Sequence, residues 1–75
     1  MSDITPDIKK QINNTFTYHA PKGDQPLRYE QLRELTKLLA TMIHENCPDS
    51  RERNLALTHL EESNMWCNAA IARNE

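Results

Sequence analysis

Asn46-Cys47-Pro48-Asp49-Ser50-Arg51-Glu52 separates two long stretches, residues 27–46 and 49–75, that contain neither glycine nor proline. Pro48 disfavours helical geometry at the residue before it, so a helix arriving from the N-terminal side ends at Asn46 or Cys47. Asp49 followed by Glu52 fits a capping box for a new helix, with Ser50 as the alternative cap. The turn is therefore short, and two helices joined by a short turn lie antiparallel. The first is expected from about Pro26 to about Asn46, capped by Asp24 or Gln25, and the second from about Ser50 to about Arg73.

The flanking periodicity agrees. Leu32, Leu35, Leu39, Met42 and Ile43 recur at three- and four-residue spacing and form one stripe, widened by Leu27 and Leu38. In the second helix Leu57, Leu60, Asn64, Cys67 and Ile71 make a heptad-like stripe. The small residues Ala56, Ser63 and Ala70 lie beside it, and Cys67 is expected to fill a small core site. Trp66 and Ala69, with Leu55 and Met65 near them, lie off that stripe. A hairpin has one internal seam, so apolar residues spread beyond it require cover from another chain. The chain has 75 residues. At that size a lone core is marginal, which again favours an oligomer.

Residues 1–23 form a separate segment. Thr5 can cap a short helix, Pro6 suits its first position and Asp7 favours its positive end. Thr15-Phe16-Thr17-Tyr18-His19 is β-branched and aromatic and reads as an extended arm, ending in the turn Ala20-Pro21-Lys22-Gly23-Asp24. Phe16 and Tyr18 are expected to staple this arm onto the hairpin, although Tyr18 has a polar tip that also suits a ligand. The expectation is an all-α fold: a short N-terminal helix and arm over 1–23, then a helical hairpin domain over 24–75.

The net charge is -2, which argues against a non-specific duplex nucleic-acid binder. The polar N-terminus carries no export signal and no stretch reaches membrane-span length. Cys47 and Cys67 are accordingly expected as thiols in a reducing compartment. No nucleophile–base spacing or Gly-rich phosphate loop stands out, and the adjacent Glu61 and Glu62 diverge on a helix, so a non-enzyme is favoured. His44, Cys47, His59 and Cys67 match no standard zinc spacing, and no metal or cofactor is expected. Phe16, Tyr18 and His19 concentrate in a non-helical segment beside Pro21 and Lys22, with Arg28, Arg33, Lys37 and Arg73 on the helices. Flat rings stack on bases and cations meet phosphates. Trp66 reads first as a packing anchor between chains.

Phe16-Thr17-Tyr18-His19-Ala20-Pro21, Arg28-Tyr29-Glu30-Gln31-Leu32-Arg33 and Cys47-Pro48-Asp49-Ser50-Arg51-Glu52 are joined by Leu55-Ala56-Leu57-Thr58-His59-Leu60-Glu61 and the tail from Met65 to Asn74. In these stretches the chain resembles the phage anti-CBASS and anti-Thoeris hairpin-domain proteins, the cyclic-nucleotide sponges. The resemblance runs from about Phe16 to the end and leaves the first fifteen residues outside. It implies a non-enzymatic phage protein of the host cytoplasm. Such a protein assembles as a homohexamer and holds cyclic dinucleotides intact in pockets between protomers, so that the immune effector is not triggered. Cyclic trinucleotides occupy separate sites in some members. The anti-Thoeris relatives, which hold cyclic ADP-ribose isomers, often carry an extra β-rich part for which this chain is too short, so the anti-CBASS branch is favoured.

By position in that pattern, Tyr18 is the base-stacking residue and Arg33 and Lys37 are phosphate partners. His19, Pro21 and Lys22 form the pocket wall, and Thr58, His59, Glu62 and Arg73 are further candidates. Cys67 stands where the pattern has a small residue such as alanine. The expected ligand is a cyclic dinucleotide such as cyclic GMP-AMP. Two other classes compete: a structural or protein-binding helical oligomer, and a metal-binding or redox module. A sponge for a cyclic ADP-ribose isomer is the alternative within the family.

Overall fold

The computed structural model describes residues 3–75, so the first two residues of the N-terminal segment 1–23 lie outside it. Three helices follow one another: α1 (Pro6–Phe16), α2 (Gln25–Asn46) and α3 (Arg51–Asn74), with no strand among the described residues. Each starts where local chemistry favours a start. The Thr5 hydroxyl caps α1 by accepting from the Ile8 amide at 3.2 Å, and Pro6 occupies its first turn. Ser50 caps α3, its hydroxyl accepting from the Arg53 amide at 3.1 Å. Asp49, the expected capping-box residue, instead forms an ion pair with Arg53 at 3.1 Å. Arg53 also donates to the Cys47 carbonyl at 3.3 Å, so one guanidinium closes the turn on both sides. At α2 the cap is Asp24, but its side chain makes no capping bond and pairs with Arg28 at 3.3 Å. Gly23 leads into that turn at φ 58°, a left-handed conformation that favours glycine.

Two local expectations change. Thr15 and Phe16 belong to the last turn of α1 rather than to the arm, and the extended backbone begins at Thr17. Gln11 to Asn14 contains no glycine or proline and continues the helix started at Thr5 and Pro6, and this outweighs the weak β preference of two residues. Phe16 and Tyr18 do not staple the arm either: both are 83% exposed.

α2 and α3 pack together as the hairpin, and α1 makes no comparable contact. The seam is narrow. From α2 it takes Tyr29, Leu32, Thr36, Ala40 and Ile43, and from α3 Arg53, Leu57, Leu60, Asn64, Asn68 and Ile71, all only half-buried. The Thr36 hydroxyl is satisfied within its own helix by donating to the Leu32 carbonyl at 2.7 Å. Of the expected α2 stripe, Leu32 and Ile43 face α3, whereas Leu35, Leu39 and Met42 lie outside the seam with Leu38. In α3 the seam passes through Asn68 rather than Cys67, which is an exposed free thiol like Cys47. Two packed helices touch along one seam, so a stripe wider than that seam cannot be covered by one neighbour.

No large apolar side chain is buried among the described residues, and Trp66 is 65% exposed. The molecule measures 50 × 36 × 13 Å, so its thickness is about one helix diameter. Its radius of gyration, 16.8 Å, exceeds the roughly 11 Å of a compact domain of this length. The three helices therefore form one layer, whereas stable domains pack at least two.

Candidate functional site

The arm between α1 and α2 runs past the C-terminal end of α3, which is bonded on either side of Tyr18, by the last turns of α1 and by Lys22 of the arm. The Asn14 side-chain amide donates to the Arg73 carbonyl at 3.1 Å. Further along, the Lys22 ammonium donates to the Glu75 carbonyl at 2.6 Å. Between these ties lie Tyr18, His19 and Pro21. The His19 Nε2 sits 2.8 Å from the Asn14 carbonyl, which fixes the ring against the end of α1.

Three open hollows surround this crossing. One groove is walled by Tyr18, His19 and Thr17 of the arm, Tyr29 and Arg33 of α2, and Asn68, Ala69, Ala72 and Arg73 of α3. A second continues past Tyr18 and His19 to Lys22, Gln25, Arg73 and Glu75. The third lies on the α1 side, between Lys10, Gln11, Asn14 and Thr17 and the same His19 and Arg73. His19 and Arg73 border all three. Ala69 and Ala72 are small, so the arm can approach α3 closely and leave an apolar floor between the rings and the cations.

Among the residues singled out from the sequence, Tyr18, His19, Arg33 and Arg73 share the first groove, and Lys22 joins Tyr18, His19 and Arg73 in the second. Pro21 is exposed in the arm and lines neither. Lys37 lies one helical turn beyond Arg33, outside both. Thr58, His59 and Glu62 lie 11 to 15 residues before Arg73 along α3, about 16–22 Å from it within one chain. There His59 Nδ1 is 4.0 Å from the Glu62 carboxylate, an ion pair only when the ring is protonated.

Electrostatically Arg33, Arg73 and Lys22 line the two grooves beside Tyr18 together with the Glu75 carboxylate, and Asp7 with Lys10 borders the hollow on the α1 side. Arg28 donates through Nη1 to Glu75 at 3.0 Å and through Nη2 to the other carboxylate oxygen. Gln25 donates to the same carboxylate at 3.3 Å. The Arg28 guanidinium, and after it the Gln25 amide, hold the Glu75 carboxyl below the usual carboxylate range. Glu75 in turn raises Arg28 further. Arg28, grouped with the free cations on composition, is thus engaged within the chain. Arg33, Lys37 and Arg73 form no ion pair among the described residues.

Tyr29, Asn68, Gln25 and Glu75 were not named as site residues from the sequence, Gln25 having been read only as a helix cap. Asn68 carried a readable signal, since with Asn64 it places two amides four residues apart on the inner side of α3. The Oδ1 atoms of both are shielded from water without a hydrogen-bond partner among the described residues. Gln25 and Glu75 carried none, being joined across 50 residues only when the hairpin closes. No group of three or more His, Cys, Asp or Glu is placed to hold a metal ion among the described residues. No helix there is long and apolar enough to cross a membrane.

Comparison with curated proteins and with solved structures gives no match. A family model, described as the hairpin domain of Acb2/Tad1, matches residues 9–72. The match starts inside α1, before the resemblance seen at Phe16, and stops just short of Arg73. It spans the arm, α2, the Pro48 turn and nearly all of α3, and the hairpin with its aromatic arm thus belongs to the Acb2/Tad1 hairpin-domain family, the anti-CBASS and anti-Thoeris sponges.

Proposed function

We propose that this protein binds a cyclic di- or oligonucleotide immune signal and holds it intact, without catalysis, as a homo-oligomer in the host cytoplasm. One observation supports this most: within a chain of the sponge family, Tyr18, Arg33 and Arg73 converge from three segments on one groove. Tyr18 supplies an exposed ring on which a base stacks. Arg33 and Arg73 supply guanidinium groups that pair with phosphate oxygens through two donors each. His19 and Lys22 extend the wall toward a second phosphate or the sugar edge. The expected ligand is a cyclic dinucleotide such as cyclic GMP-AMP.

The oligomer follows from the missing second layer. Ile8, Ile12 and Phe16 lie exposed at four-residue intervals on α1, Ile4 is exposed just before it, and Leu35, Leu38, Leu39 and Met42 are exposed on α2. A helix as short as α1 is marginal in water without a partner. A second copy covers these faces, and a hexamer is the assembly that the family resemblance implies. The same step converts open grooves into enclosed ones, where water is excluded and each charged contact strengthens. Thr58, His59 and Glu62 reach the ligand in this arrangement only from a neighbouring chain, and Lys37 and Pro21 only at its margin.

The test is titration of purified protein with a panel of cyclic di- and trinucleotides and cyclic ADP-ribose isomers, followed by heat denaturation and chromatography of what is released. Tight binding of a cyclic dinucleotide that is recovered unchanged is the expected outcome. Recovery of a linear product would make the protein a phosphodiesterase. Binding of a cyclic ADP-ribose isomer alone would move it to the anti-Thoeris branch. No binding across the panel would sink the sponge and leave a protein-binding helical oligomer.

A further inference from the structure

Four hydrogen-bond donors from two segments converge on one residue at the end of α3. Arg28 presents both Nη atoms to the Glu75 carboxylate, Gln25 presents its side-chain amide, and Lys22 presents its ammonium to the Glu75 carbonyl. Gln25 is the most deeply buried of the described residues, at 4% exposure. It also works in the opposite direction, its Oε1 accepting from the Lys22 amide at 3.1 Å. The Gln25 backbone N–H also donates to the Lys22 carbonyl at 3.0 Å. One side chain therefore couples the arm to the carboxylate on α3. Elsewhere the arm has no apolar anchor, because Phe16 and Tyr18 point into solvent. The family match ends at residue 72, so this knot engages a residue that the family pattern does not describe.

We infer that Glu75 and Gln25 are positioning residues for the ligand groove: through the Lys22 amide they lock the arm so that Tyr18 and His19 stand opposite Arg33 and Arg73. The physical reason is entropic. An arm of about eight residues held only at its α1 end samples many backbone states, and fixing each residue opposes binding. Clamping its far end at Lys22 removes that freedom before the ligand arrives, and a wall set in advance binds more tightly at equal contact. Arg28 serves the clamp rather than the ligand, because both Nη atoms are engaged by Glu75 and its Nε faces Asp24.

The effect on affinity rests on the sponge reading, whereas the effect on the arm does not. Two readouts on the full chain separate them. Hydrogen exchange of the Lys22 amide and its arm neighbours is compared among wild type, Glu75→Ala and Glu75→Asp, and each protein is titrated with cyclic GMP-AMP. In Glu75→Ala, exchange at Lys22 should rise roughly tenfold while amides of the hairpin seam stay within about twofold of wild type, as expected for losing a charge-assisted bond at one end. Affinity for cyclic GMP-AMP should fall by a comparable factor, and Glu75→Asp, which keeps the charge, should return both values most of the way. Unchanged exchange at Lys22 in Glu75→Ala would overturn the clamp. Faster exchange with undiminished binding would overturn its role in positioning the groove. A wild type that binds no cyclic nucleotide would defeat the sponge reading, and the exchange data would still decide whether the clamp exists.

Discussion

Replacing Tyr18 with alanine isolates the stacking contribution, because the fold has almost nothing to lose there. The ring is 83% exposed and belongs to a segment outside every helix. Its removal neither opens a cavity nor strips the seam, and hairpin stability should stay within about 0.5 kcal/mol, as for other surface substitutions. Binding is a different matter. A base stacked on an aromatic ring contributes about 1–3 kcal/mol. At the middle of that range, about 2 kcal/mol, the dissociation constant for a cyclic dinucleotide rises roughly 30-fold. Tyr18→Phe keeps the flat face and should stay within about threefold of wild type, which separates stacking from any hydrogen bond of the hydroxyl. The assay is calorimetric titration of wild type and both variants with cyclic GMP-AMP, with circular dichroism and sedimentation to show that helicity and assembly are retained. An assembled Tyr18→Ala protein with unchanged affinity would remove Tyr18 from the site and with it the central contact of the proposed pocket.

Three other outcomes are expected. Ser50→Ala should lower hairpin stability by about 1 kcal/mol, since the Ser50 hydroxyl caps α3. Asp49→Ala should cost less, because its ion pair with Arg53 is on the exposed side of the turn; thermal melts giving the reverse order would return the cap to Asp49. Ile8→Asp combined with Ile12→Asp places two charges in the exposed α1 stripe and should lower the mass seen by sedimentation, while unchanged assembly would show that α1 is outside the interface. Glu75 has a carboxyl held below the ordinary range, so its share of stability is complete at neutral pH and is lost as pH falls through that lowered value, while Arg28 stays charged throughout. Melts of wild type and Glu75→Gln should accordingly differ at pH 7 and converge under strongly acid conditions; a gap that is constant with pH would argue against the ion pair.

Much of the hairpin was legible in the chain itself. Pro48 with Ser50 stops one helix and starts another by local backbone chemistry, and Thr5 with Pro6 starts α1 in the same local way. Such signals act within four residues, so no tertiary contact is needed to read them. The cap at α3 shows the limit of that reading. Asp49 and Ser50 are both competent acceptors, and the choice went to Ser50 because Arg53 engages Asp49 while also reaching the Cys47 carbonyl. The aromatic arm was legible as a non-helical run of rings beside cations, though its start moved from Thr15 to Thr17.

What the sequence determined by itself is the helical content, the turn, the excess of apolar surface over one seam, and the residue types available to a nucleotide. Each depends on spacing along the chain or on composition. Only the tertiary structure decided which cations are free. Arg28 and Arg33 are one helical turn and a fraction apart and look alike in sequence, yet the first is engaged by Glu75 and the second opens onto the groove. It also decided that the arm is held by polar bonds to the end of α3 rather than by its own rings. The physical reason is that charge pairing and burial depend on distances between residues about 50 positions apart, and those distances exist only once the hairpin has closed.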